Sequence, residues 1–154
     1  MDPHIARYVE MARAPRQIGL VSCTKAKCDR AATPRELYRP SAYFRKASEY
    51  AETHHDEWYI LSAEHHLLDP DGPPIEPYEK TLNTATVEEQ RTWSQKVCEE
   101  LWEYDCLDAE TTLVFHAGKA YYEELIPLLA DVSVNIPTEG LRFGETLAWY
   151  NERL

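Results

Sequence analysis

The sequence predicts an α/β domain in three layers, a mostly parallel four-stranded sheet flanked by helices. Three observations predict it. Four short runs, each bounded by polar or breaker residues, are separated by segments of helical periodicity, the order that a parallel sheet with covering helices accommodates. The second and third runs are nearly unbroken in apolar character, as strands buried on both faces are. The length, 154 residues of which 44% are hydrophobic and 28% charged, matches one globular domain over residues 1–154. Such a domain has enough core to fold without disulfides or a structural metal.

Each element has its own signal. Residues 3–14 are expected to form a helix, and residues 17–22 (QIGLVS) the first strand. From Ser41 to His54 a helical stripe carries Phe44, Ala47 and Ala51, and residues 58–62 (WYILS) form the second strand. A proline-rich loop follows over 69–77 (DPDGPPIEP). Thr86 opens a capping box with Glu89, ahead of a helix presenting Trp93, Val97 and Leu101. The third strand is expected over 111–115, its run TLVFH beginning at Thr112. A helix from Lys119 to Ala130 places Tyr121, Leu125, Leu128 and Leu129 on one face, kinked at Pro127. Residues 132–136 alternate Val132, Val134 and Ile136, the pattern of a half-exposed edge strand. The last helix sets Phe143, Leu147, Tyr150 and Leu154 at helical spacing, and these stripes are assigned to the core.

No apolar run approaches the roughly 18 residues that span a bilayer. The first residues carry Asp2, His4, Arg7, Glu10 and Arg13 where a secretory leader would be apolar, so an intracellular, cytoplasmic protein with no membrane association is expected. Cys23, Cys28, Cys98 and Cys106 are irregularly spaced and read as reduced thiols. The pair Cys23 and Cys28 lacks a second close pair and a spaced histidine pair, so no metal is expected. The net charge of -11 conceals a division. Residues 1–50 hold ten Lys/Arg against five Asp/Glu, a balance of +5, while residues 51–154 hold six against twenty-two, a balance of -16. A basic segment beside an acidic body can form a local positive face, which keeps a polyanionic partner open.

Open parallel sheets bind ligands beyond the carboxyl ends of their strands, so the segments after each strand are the candidate site. After the first come Ser22, Cys23, Thr24, Lys25 and Lys27, suited to an anion but lacking the glycines of a P-loop. Downstream, Arg35, Tyr38, Arg39, Tyr43, Arg45 and Lys46 interleave basic and aromatic side chains, as surfaces that neutralise phosphates and stack bases do. After the second strand, Glu64, His65 and Asp69 form the densest cluster of proton-transfer groups, although Asp69 before Pro70 is also an ordinary turn initiator. That loop closes with Tyr78 beside Glu79. The third strand runs into His116, Gly118 and Lys119, where the glycine would admit a ligand at a helix N-terminus. Gly140 and Gly144, two of five glycines, mark a backbone constraint after the fourth strand. The loops at 22–27, 62–69, 116–119 and 137–140 are expected to converge at one sheet edge.

The strings SCTKAK, ELY, LSAEHHLLDP, PYEKTL, HAGKAYYEEL and PTEGLRFGETLAWYNERL resemble a small prokaryotic family of unknown function, over nearly the whole chain from Ile18. That family is similar to the peroxide-stress YaaA group and to uracil-DNA-glycosylase-like enzymes, including an anti-phage glycosylase that removes modified bases. Part of the pattern also resembles the lysine-bearing domain of archaeosine synthase. The resemblance implies a uracil-DNA-glycosylase-like fold and a DNA partner. Two departures stand out: His66 occupies a position where the family pattern has glycine, and the proline-serine histidine motif of true uracil-DNA glycosylases is missing.

The leading expectation is a DNA glycosylase that breaks the N-glycosidic bond of a modified base, without cofactor, in an anti-phage setting. Lys25, Lys27, Arg35, Arg39 and Arg45 would hold phosphate, and Tyr38, Tyr43 and Tyr78 would stack the flipped base. Glu64 or Asp69 would meet the oxocarbenium charge, and His65 or His116 would hydrogen-bond the departing base. Two alternatives are a base-modifying transferase with Lys25 as the nucleophilic amine, and a DNA-binding module without catalysis.

Overall fold

Ile18, Leu20 and Val21 are shut off from solvent because their strand, β1 (Arg16–Ser22), is the middle one of five. The computed structural model describes residues 15–154; the helix expected over 3–14 lies outside them. β1 pairs in parallel with β2 (Glu57–Ser62) on one side and with β4 (Thr111–His116) on the other. β5 (Ser133–Asn135) extends the sheet in parallel beyond β4, and β3 (His66–Leu68) returns antiparallel to β2. The strand order is β3-β2-β1-β4-β5.

The sheet is thus mostly parallel, as expected, but has five strands and not four. The added strand is three residues long, too short to carry a periodicity, and His66 enters it with a φ of 65°, a left-handed conformation that glycine favours. The edge strand expected over 132–136 pairs only over its centre.

Helices cover both faces. Neighbouring residues of a strand point oppositely, and the Trp58 ring lies 6.4 Å from Phe44 of one helix while Tyr59 stacks at 5.7 Å on Tyr104 at the end of another. A short helix α1 (Pro34–Leu37) precedes α2 (Ala42–His54), which starts where the Ser41 hydroxyl accepts the Phe44 N–H. α2 packs over β1 and β2 together with α4 (Phe143–Asn151). On the other face lies α3 (Val87–Glu103), opened by Thr86, whose hydroxyl accepts the Glu89 N–H at 3.1 Å and donates to the Glu89 carboxylate. A cap of this kind is worth about 1 kcal/mol.

Two helical expectations are corrected. The stretch from Lys119 to Ala130 forms two separate 3-10 turns, Lys119–Tyr121 and Ile126–Leu128. Pro127 has no N–H to offer the carbonyl four residues back, so the chain settles for bonds three residues long, such as Leu128 N–H to Leu125 C=O. Tyr121 and Leu125 still reach the core, whereas Leu128 is exposed. In α4 the buried residues are Thr146 and Tyr150; Phe143 and Leu154 are exposed and do not join the core. Among the described residues, no helix is long and apolar enough to cross a membrane.

After β1 the chain crosses to β2 on one side, and later to β4 on the other. The carboxyl ends of β1 and β4, aligned with Val21 opposite His116, therefore flank a topological switch point.

Candidate functional site

A cleft of about 930 Å³ opens at that switch point. Its floor is the end of β1, Ser22 to Lys27, beside Ala117 and Gly118 after β4. One wall is the segment Glu79–Thr81 with Asn83 and Thr84; the other is Thr138–Leu141 leading into Phe143. Tyr121 fixes the first wall: its buried hydroxyl receives the Leu82 N–H at 3.3 Å and lies 3.4 Å from both Cys23 Sγ and Thr81 Oγ1. Gly140 turns the second wall with a φ of 80°, which a side chain would strain.

The lining is cationic. Lys25, Lys27, Lys80 and Lys119 face Glu79 and Glu139, a positive excess in a chain whose net charge is -11. Lys27 Nζ sits 4.5 Å from the centre of the Tyr78 ring. Burial pushes the Lys27 pKa below the ordinary lysine value, against the opposing pull of Cys23 and Glu79. Aromatic surface comes from Tyr43, Tyr122 and the exposed Phe143. The site can hold an anion beside a flat ring, with carboxylates near both.

Of the residues singled out in the sequence, Ser22, Cys23, Thr24, Lys25, Lys27, Tyr43, Gly118 and Lys119 line this cleft. Gly118 does so without the expected helix N-terminus, since only a 3-10 turn follows and no atom lies within 4 Å of where its Cβ would stand. Loops 22–27, 116–119 and 137–140 contribute to the cleft; loop 62–69 does not line it.

The arginines are engaged elsewhere. Arg35 grips Asp71 with two bonds of 2.9 and 3.1 Å, reaches Glu52 at 3.2 Å and lies over Trp58, tying the proline-rich loop to α2. Arg39 pairs with Glu36, and Arg45 bonds the Arg39 carbonyl. Tyr38 is wholly buried, its hydroxyl 2.6 Å from that of Tyr78, which in turn lies 2.7 Å from Ser62 Oγ. Burial pushes both phenols far above their ordinary pKa.

The proton-transfer cluster after β2 is also apart from the cleft lining. Glu64 is exposed, and His65 sets its ring edge-on to Tyr78 at 5.6 Å. Asp69 builds the turn its sequence announces: its carboxylate accepts the Asp71 N–H at 2.9 Å and its carbonyl the Gly72 N–H at 3.0 Å. His116 is fully buried between His55 and Tyr150, and burial pushes its pKa down to about 3. It is a core residue, packed under α2 and α4.

Sequence reasoning left the Lys80–Thr84 segment and Thr138 out of the candidate site. Its one signal there was the acid beside Tyr78 in PYEKTL.

No curated protein and no solved structure matches this chain. A family model does, over residues 18–152, and the chain belongs to that family, described as a family of unknown function, DUF6884.

Proposed function

We propose that the protein is a DNA glycosylase that hydrolyses the N-glycosidic bond of a modified base, acting in the cytoplasm and in defence against phage DNA. The observation that carries this reading is the concentration of four lysines and two carboxylates in one aromatic-walled cleft at the switch point of an otherwise acidic chain. The resemblance of SCTKAK, PYEKTL and HAGKAYYEEL to uracil-DNA-glycosylase-like enzymes, and the fold this implies, support it.

In this reading Lys25, Lys27 and Lys119 neutralise phosphate, and a base turned out of its stack lies against Tyr43 or Phe143. The carboxylate moves from the Glu64 and Asp69 pair to Glu79, which lines the cleft near Lys27. The C1′–N bond breaks with its electron pair going to the base, and water adds to C1′. Glu79 offsets the developing positive charge and takes the proton that the water loses, while the base gains one.

A transferase reading has one observation of its own. Among the cleft lysines Lys27, and not Lys25, is the amine whose protonation burial disfavours, as a nucleophile requires. One experiment separates the readings: oligonucleotides bearing deaminated, alkylated or hydroxymethylated bases, single- and double-stranded, are incubated with the protein in the presence of a chelator. Abasic sites support hydrolysis. A heavier base supports transfer, and a retarded but unchanged strand leaves a binding module.

A further inference from the structure

Two imidazoles meet where α2 crosses the sheet. His55 Nε2 lies 2.8 Å from His116 Nε2, and His116 Nδ1 lies 2.7 Å from the Tyr150 hydroxyl. At the other end, His55 Nδ1 lies 3.1 Å from Oε1 of the exposed Gln17. Tyr150 in turn has Tyr43 and Thr138 as hydrogen-bond partners, and Tyr43 has Ser22. Tyr43, Thr138 and Ser22 all line the cleft. A continuous hydrogen-bonded chain thus leads from solvent at the start of β1 to the cleft at its end.

Room for it is provided in the sequence. A Cβ on Gly19 would stand 2.7 Å from His55 Cδ2, so the ring occupies space that any other residue of β1 would fill. Apolar side chains could pack this layer without the cost of burying polar rings.

Such a chain has two directions. In one, the Tyr150 O–H donates to His116 Nδ1, His116 Nε2–H donates to His55 Nε2, and His55 Nδ1–H donates to Gln17. In the other, the Gln17 amide is turned over and every donor points toward the cleft. Shifting one proton along each bond takes one from the cleft and releases one at Gln17, and the reverse shift delivers one. No net charge stays on a buried ring. Burial, and then the neighbouring histidines, hold both imidazoles below the ordinary pKa, His54 adding to this and Asp56 opposing it at His55. Tyr50 faces both rings edge-on at 5.5 and 5.3 Å.

We propose that Gln17, His55, His116 and Tyr150 form a proton relay between the cleft and solvent. Its use in turnover rests on the glycosidic cleavage proposed above, in which the water loses a proton and the departing base gains one; its existence does not.

Ring-nitrogen NMR of the full chain with labelled histidines tests it. Tyr150→Phe keeps the ring and removes the hydroxyl, and Thr138→Val alters only the cleft end. A relay transmits both changes, so the His55 signals and tautomer ratio shift although neither substitution touches His55. A response confined to His116 in Tyr150→Phe, with none to Thr138→Val, overturns the relay. Should Tyr150→Phe not fold, Gln17→Leu decides from the solvent end, where His116 must respond. Kinetics on a cleaved oligonucleotide give the second readout: Tyr150→Phe lowers kcat about tenfold or more, leaves KM unchanged and alters the pH profile. Wild-type kcat and pH profile in that variant remove the relay from turnover. No cleavage by the wild type defeats the glycosylase reading alone, and the NMR result still decides the relay.

Discussion

The Lys27 ammonium rests over the face of the Tyr78 ring, and the hydroxyl of that ring is itself held by Tyr38 and Ser62. The negative ring face fixes the charge in the cleft wall, while burial makes the charge easier to lose. A lowered pKa means that Lys27 gives up its proton at a lower pH than an ordinary lysine. Affinity for a short single-stranded oligonucleotide should therefore fall as pH rises through that lowered value. Lys27→Gln should abolish this pH dependence and reduce the salt slope of binding by about one unit, whereas Arg39→Gln, whose guanidinium is paired with Glu36, should change neither. Fluorescence anisotropy titrations at several pH values and salt concentrations read both.

His116 makes stability sensitive to acid. Its folded pKa of about 3 lies below the value near 6.5 of an unfolded histidine. The unfolded chain thus binds the proton first, so the contribution is complete above about pH 6.5 and is lost as pH falls toward the folded value. Between pH 7 and 5 the loss from this residue is about 2 kcal/mol. Denaturant melts at the two pH values should show a smaller drop for His116→Asn than for the wild type. An equal drop would mean that His116 is not the acid-sensitive group.

Backbone positions give opposite signs. Gly19→Ala places its Cβ 2.7 Å from His55, 3.2 Å from Ala51 and 3.3 Å from Trp58, and His55 is pinned at both ring nitrogens. Overpacking of this kind costs about 1–3 kcal/mol. His66→Gly should instead gain about 1 kcal/mol, because His66 holds a φ of 65° against its Cβ. Gly118→Ala, with open space around it, should stay within about 0.5 kcal/mol of the wild type. Thermal and denaturant melts of the three variants check the order.

The part of this architecture that was legible in the sequence rests on local pattern. The apolar runs of β1 and β4 announced central strands, and the rule that ligands gather beyond strand ends led to Ser22–Lys27, Lys119 and the loop at Gly140. What was not legible depends on partners distant in sequence. Arg35 reads as a free phosphate ligand until Asp71, 36 residues on, is seen to hold it. His116 sits at a strand end, as a site histidine would, but strand parity turns its ring under Tyr150 and not into the cleft. The return of Glu79–Thr84 to the cleft wall depends on a single staple, Tyr121 against Leu82.

That return decides which acid to test. Glu79 lines the cleft near Lys27, while Asp69 accepts the Asp71 N–H in a turn away from the lining. Glu79→Gln keeps size and hydrogen-bonding capacity but removes the charge, so glycosidic cleavage should fall by at least about a hundredfold, the lower range for one positioned acid or base. Asp69→Asn retains a carbonyl oxygen for the Asp71 N–H and should cleave at nearly the wild-type rate. Oligonucleotide affinity separates chemistry from binding: removing a carboxylate from a cationic cleft should leave it equal or tighter. A Glu79→Gln variant that cleaves normally would pass the role to Glu139, the other carboxylate of the lining. Loss of cleavage in Asp69→Asn with an intact Glu79 would return the chemistry to the loop after β2 and remove the switch-point cleft as its seat.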